Sequence, residues 1–368
     1  MKISFSSDSS TRPDMNGSPP QSENPGIKSR LGLLFRIALS LGILGILAVS
    51  LDLREMGGLF VGLRWEFFVL VLVIIIVERV LNAWKWMILL RANGSEIGLW
   101  VLIRIQLTSG CVGILVPSAL GMDVLRMVAI SRCTTKPVEA IVASVVDRGV
   151  SVFLTLFFAT IASFIAGGVY IPWSLAMIFP LIFLAVITAG AAMMIPGLNN
   201  WVYPFLKRVI GVSMTDKIRT IFVSFKEFKG YKQALLINEL IFCLIAVLRV
   251  AIVYFEAMAL NIQADFFLLM LVLPFTWVAL MLPVSIGGIG LQEGAYFAFF
   301  RGIGIGGAAA VSISILEHLL FRIVTLPGLF FYLRGGLVGG TVDEKACTRD
   351  GEGAEIGDKM PISNKVGT

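Results

Sequence analysis

A single histidine, four scattered cysteines and a charged fraction of only 15% across 368 residues leave little of the equipment of soluble catalysis. His318 stands alone beside Glu317, which fits a helix-packing residue better than a proton shuttle or a metal ligand. Cys111, Cys133, Cys243 and Cys347 show neither CxxC nor CxxH spacing, so no zinc site and no disulfide framework is indicated and the redox compartment stays open. There is no GxSxG elbow and no Walker loop. The run Gly287-Gly288-Ile289-Gly290 has no strand before it and no βαβ context, so it is not a dinucleotide fingerprint. No cofactor and no metal are expected.

What the chain has instead is apolar sequence. Hydrophobic residues make up 57%, and the mean hydropathy of +0.89 exceeds what a soluble core requires. An all-α polytopic membrane protein follows. The first apolar run starts near Leu31, behind the polar, Ser/Pro-rich residues 1–30, and it has no small-residue cleavage pattern, so it reads as a membrane helix and not a signal peptide. Net charge of +6 fits basic cytoplasmic loops near anionic lipid better than nucleic-acid binding.

In chain order, residues 1–30 read as a disordered tail, 31–333 as one transmembrane domain and 334–368 as a second disordered tail. Helices are expected over about 31–51, 67–90, 138–168, 173–195, 234–260 and 308–333, with a short loop of balanced charge over about 52–66. The segment 196–233 carries Lys207, Arg208, Lys217, Arg219, Lys226, Lys229 and Lys232 against Asp216 and Glu227, which marks it as cytoplasmic. Within it Ile218, Ile221, Phe222, Phe225 and Phe228 recur at helical spacing, so a basic amphipathic helix on the membrane surface is expected.

Two stretches refuse to be continuous helix. From Leu282 the chain reads Pro283-Val284-Ser285-Ile286-Gly287-Gly288-Ile289-Gly290-Leu291-Gln292-Glu293-Gly294, and each of its four glycines costs a helix interior about 1 kcal/mol relative to alanine. An earlier stretch, Pro117-Ser118-Ala119-Leu120-Gly121-Met122-Asp123-Val124-Leu125-Arg126, has the same grammar. Residues 101–130 and 266–300 are therefore expected to form re-entrant broken-helix hairpins. With about six full spans this places both termini inside and the breaks in opposite leaflets, the pattern of an inverted repeat.

Ionisable residues at membrane depth cost about 2.5 to 3.5 kcal/mol each on insertion scales and usually face a cavity. Glu78, Arg79 and Glu239 are read as helix-end residues that snorkel to the interface. Asp147, Arg148, Arg249 and Arg322 lie well inside apolar runs, where a structural ion pair is the alternative to a binding role. A guanidinium offers a planar fork for phosphate, so an anionic phospholipid or polyprenyl phosphate suits these arginines.

Trp84-Lys85-Trp86, the segment from Pro117 to Arg126, Asp147-Arg148 and the segment from Leu282 to Glu293 together resemble the motifs of the lysylphosphatidylglycerol synthase transmembrane-region family, over about residues 31–333. The resemblance implies a flippase-like integral membrane protein. Gln292 stands where that family commonly has arginine, and Met122 where it often has glycine. The residues after Leu333 are too few for the soluble aminoacyl-transferring domain of full-length synthases, so lipid movement is implied more than lipid aminoacylation.

The reading is an inner-membrane lipid translocase, more transporter than enzyme, with lipid headgroups as partners and no nucleic acid. Arg126, Arg148, Arg249 and Arg322 would hold the headgroup, and Asp123, Asp147, Glu293 and Glu317 would orient them or carry a coupling proton. Pro117, Gly121, Pro283, Gly287, Gly288 and Gly290 would let the backbone approach the substrate. The competing readings are a membrane-embedded enzyme or accessory subunit in lipid or lipid-linked glycan modification, and a scaffold for lipid-biosynthesis enzymes. The oligomeric state is not legible.

Overall fold

Runs of Leu, Ile, Val and Phe this long form helices, because in lipid only a helix or a closed barrel satisfies every backbone group. The computed structural model describes residues 38–47, 49, 51, 53–113, 121–134, 136–194, 204, 207–208, 231–282, 285 and 287–335. The two terminal tails to 30 and from 336, nearly all of the basic segment with its amphipathic helix, and both Pro117 and Pro283 lie outside these residues.

The helices are α1 (Ala38–Leu47), α2 (Leu53–Val61), α3 (Trp65–Ala92), α4 (Leu99–Val112), α5 (Gly121–Ser131), α6 (Pro137–Ala166), α7 (Trp173–Ala176), α8 (Ile178–Met194), α9 (Lys232–Ala259), α10 (Phe266–Leu280), α11 (Leu291–Phe300), α12 (Gly307–Thr325) and α13 (Pro327–Gly335). Among the described residues four stretches are long and apolar enough to cross a membrane: α3, α6, α9 and Gly307–Arg334, in which α13 continues α12. Their outer faces carry exposed Val69, Val73, Ile76, Leu240 and Leu244, a surface that suits lipid and not water. The protein is an all-α polytopic membrane protein.

Two details differ from the sequence expectation. The segment read as a loop after the first span contains α2, held because its Met56 packs with Leu47 of α1 and with Ala308 and Val311 of α12. The last span is two helices, since Pro327 has no backbone N–H to continue the ladder of α12.

The element order repeats. A long helix, two short ones around a break, and a long one occur as α3-α4-α5-α6 and again as α9-α10-α11-α12/α13. At 14 and 15 residues, α4 and α10 rise about 21 and 22 Å, short of the about 30 Å of a hydrocarbon core. They are the first arms of the two hairpins.

Helices α3 and α9 pack side by side and antiparallel. The Arg64 amide at the start of α3 donates to the Ala259 carbonyl at the end of α9 at 2.8 Å, and Asn238 near the start of α9 donates to the Lys85 carbonyl near the end of α3 at 3.3 Å. Hairpin α4–α5 follows the end of α3 and hairpin α10–α11 follows the end of α9, so the two hairpins are rooted at opposite ends of this pair. The packing is also exchanged: α4 lies along α13, and α10 along α6. Gly328 makes the first contact possible, because a Cβ there would strike the Leu107 carbonyl.

Candidate functional site

Where the halves meet, α3, α5, α6, α9 and α10 enclose a cavity of about 240 Å³. Its charged lining comes from Lys85 on α3, Asp123 and Arg126 on α5, Asp147 and Arg148 on α6, and Arg249 on α9. Four cations thus face two carboxylates. Five of the expected site residues meet here, drawn from both halves.

The contacts grade from tight to loose. The Lys85 ammonium lies 2.8 Å from Asp147 Oδ1, which also accepts from Asn238 at 3.1 Å, and the side chains of Lys85 and Asp147 are 4% and 14% exposed. This pair is structural glue between α3 and α6. Asp123 is held less closely, by Arg126 at 3.5 Å and Arg148 at 3.4 Å. Beyond about 3.2 Å a nitrogen–oxygen contact is a poor hydrogen bond, so both guanidinium groups keep donors free for a better acceptor. Arg126 also stacks over Trp86, 4.4 Å from the ring centre, and the Trp86 indole N–H donates to Ser144 Oγ at 3.1 Å, which fixes the platform beneath the cation.

Arg249 bridges the cavity and the interior. Its Nε and Nη2 donate to Glu78 Oε1 at 3.2 and 3.1 Å, while Arg79 meets the other Glu78 oxygen at 2.7 Å. The Glu78 side chain is wholly buried between the two arginines. Reading Glu78 and Arg79 as snorkelling helix-end residues therefore fails: their apolar flanks pack against α9 and α12, with Arg79 4.3 Å over the Phe321 ring.

Of the remaining expected residues that are described, all but Gly121 lie in the second half. Glu293 Oε2 accepts from the Gly290 amide at 2.6 Å, and its other oxygen lies 3.3 Å from His318 Nε2. Glu317 Oε2 accepts from Gln292 at 2.7 Å and from the Tyr296 hydroxyl at 2.5 Å. Gly287, Gly288 and Gly290 turn the chain into α11 at φ of +60°, +86° and +83°, a region that side chains rarely adopt, and at Gly290 the Ser40 carbonyl also leaves no room for a Cβ. Gly121 opens α5. Arg322 lines no part of the cavity; its Nη2 stands against the Gly287 turn.

One numbering offset carries Asp123, Asp147 and Arg148 of the first half onto Glu293, Glu317 and His318 of the second. The geometry follows the numbering. Arg148 reaches from α6 to Asp123 on α5, and His318 reaches in the same way from α12 to Glu293 on α11. Lys85, Asn82 and Asn238 are not among the expected site residues; in the sequence Lys85 stands out only as the centre of the Trp84-Lys85-Trp86 motif.

A family model described as Lysylphosphatidylglycerol synthase TM region matches residues 33–328. No curated protein and no solved structure matches the chain. Since that match spans both hairpins and every helix that lines the cavity, the chain belongs to the lysylphosphatidylglycerol synthase TM region family.

Proposed function

We propose that this protein moves an anionic phospholipid or an isoprenoid-type lipid phosphate between the leaflets of a bacterial-type inner membrane. The observation that carries the reading is the excess of cations over carboxylates in a cavity between two oppositely rooted hairpins. A phosphate entering this space meets Arg148 and Arg249, whose side chains are 37% and 43% exposed, and Arg126 with donors to spare. Asp123 then acts as the internal counter-ion that the headgroup displaces. The acyl or prenyl chains stay in the bilayer beside the apolar outer faces. The lipid itself needs no full desolvation, because only its headgroup enters protein.

In this reading the turn after α5, with Arg132 and Lys136, and the segment around Lys207 and Arg208 face the cytoplasm together with both termini, an orientation supported by the preference of basic residues for cytoplasmic loops. The hairpins then enter from opposite leaflets, which gives alternating access a structural basis.

The test is reconstitution of the purified chain in phosphatidylcholine vesicles with a panel of labelled lipids: phosphatidylglycerol, phosphatidylserine, a prenyl phosphate and neutral phosphatidylethanolamine. Anionic lipids are expected to change leaflet faster than in empty vesicles, and Arg148→Ala is expected to reduce that rate about tenfold, the loss of one charge-assisted phosphate contact. Equal rates for every lipid with and without protein would overturn the reading.

A further inference from the structure

We propose that His318 is a proton-binding site that latches the second hairpin, a conditional cation at the position where the first half keeps the permanent cation Arg148. In the first half Arg148 of α6 lies 3.4 Å from Asp123 on α5. At the matching positions of the second half, His318 Nε2 on α12 lies 3.3 Å from Glu293 Oε1 on α11. An arginine holds its charge at every working pH, whereas a histidine gains or loses it near neutrality. The chain has no other histidine.

The contacts tie this pair to the hairpin turn and to the cavity wall. Glu293 is 4% exposed, and its second oxygen accepts from the Gly290 amide at 2.6 Å, so the carboxylate belongs to the turn that opens α11. A Cβ on Gly288 would stand 3.8 Å from His318 Cε1 and 3.8 Å from Leu280 Cδ2, and Leu280 lines the cavity. Gly288 thus lies between the ring and the wall. His318 Nε2 is closed to solvent and makes no hydrogen bond, while the side chain as a whole is 20% exposed. The pair is drawn up but not closed, and a proton can reach the ring.

No other group competes for it. On α12 itself Glu317 accepts from Gln292 and Tyr296 of α11, and Arg322, one turn on, stands against the Gly287 turn. Helices α3 and α9 bring Glu78, Arg79 and Arg249, which pair with one another, and Glu256, which has no ion pair among the described residues. Helix α2, with Arg54 and Glu55 exposed, packs at Ala308 and Val311, two turns or more from His318. Helices α4 and α13 meet α12 near Thr325 and place Arg104 and Arg334 over the Phe331 and Phe330 rings. Among the described residues Glu293 is the one ion-pair partner of His318.

With the ring protonated, attraction to Glu293 holds the turn and α11 against α12; with the ring neutral, that hold is lost. Because Gly288 also lies against Leu280, freedom of the turn becomes freedom of the cavity wall. The last step, that lipid movement needs this freedom, rests on the translocase reading.

Two measurements separate the latch from the lipid step. Hydrogen exchange of the purified full-length chain in detergent, corrected for the intrinsic effect of pH, is expected to show the segment from Gly287 to Gly294 several times better protected at about pH 6 than at about pH 8, a range over which histidines change charge. His318→Arg should keep the protected state at both values, and His318→Gln the open one. Equal protection at both values in the wild type, or a difference that survives in His318→Gln, overturns the latch. In phosphatidylcholine vesicles, labelled phosphatidylglycerol is expected to change leaflet severalfold faster at about pH 8 than at about pH 6, and at one rate in His318→Gln. Lipid movement that ignores pH while protection follows it overturns control of the lipid step by the latch. No movement of any lipid, with the exchange difference present, overturns the translocase reading alone.

Discussion

Lys85 and Asp147 form a 2.8 Å ion pair that is nearly closed to solvent and ties α3 to α6 beneath the cavity. Buried pairs of this kind add little over apolar replacements, but removing one partner strands the other charge. Lys85→Met and Asp147→Leu should each destabilise by about 3–5 kcal/mol, and the double variant should recover much of the loss. Thermal unfolding in detergent reads this directly, and additive losses in the double variant would show that the two charges do not depend on each other.

Glu78 is the single carboxylate between Arg79 and Arg249. Glu78→Ala leaves two guanidinium groups facing each other, so a loss of about 3–5 kcal/mol is expected, larger than for Arg79→Ala. Comparison of the melting temperatures of the two variants checks the order.

Gly328 and Gly306 make a matched pair of tests. At Gly328 an added methyl meets the Leu107 carbonyl of α4, whereas at Gly306 it meets open space at an ordinary φ of −58°. Gly328→Ala should cost about 1–3 kcal/mol as an overpacked contact, and Gly306→Ala should be within about 0.5 kcal/mol of wild type. A destabilised Gly306→Ala with an intact Gly328→Ala would contradict the close approach of α13 to α4.

Gln292 donates to Glu317 at 2.7 Å. Gln292→Arg would place a permanent cation on that carboxylate, the residue the family commonly carries there. The expected outcome is a higher melting temperature, because a charge-assisted bond replaces a neutral one at that carboxylate. A lower melting temperature would mean that the site has no room for a guanidinium.

Much of the scaffold was legible because it depends on local pattern. Apolar length gave α3, α6 and α9 to within a few residues, and the glycine and proline breaks gave both hairpins, since these rest on helix propensity alone. The charge pairing was less legible. Glu78 meets Arg249 and Lys85 meets Asp147 across helices far apart in sequence, and nothing in the neighbourhood of either residue names its partner. The repeat showed as a shared grammar of breaks, but the match of His318 to Arg148 needed geometry, because the residue types had changed. Glu78 was misjudged because burial beneath a neighbouring helix leaves no mark on the apolar run that contains it.

The exchanged packing of α4 on α13 and α10 on α6 also sets an order for biogenesis. When α4 leaves the ribosome, the helix that will cover it is among the last to be made, so the first hairpin waits in the bilayer with the Leu107 side of its backbone uncovered until Gly328 arrives. Neither half can finish alone, and the nascent first half is the species that an insertion chaperone or a membrane protease would meet.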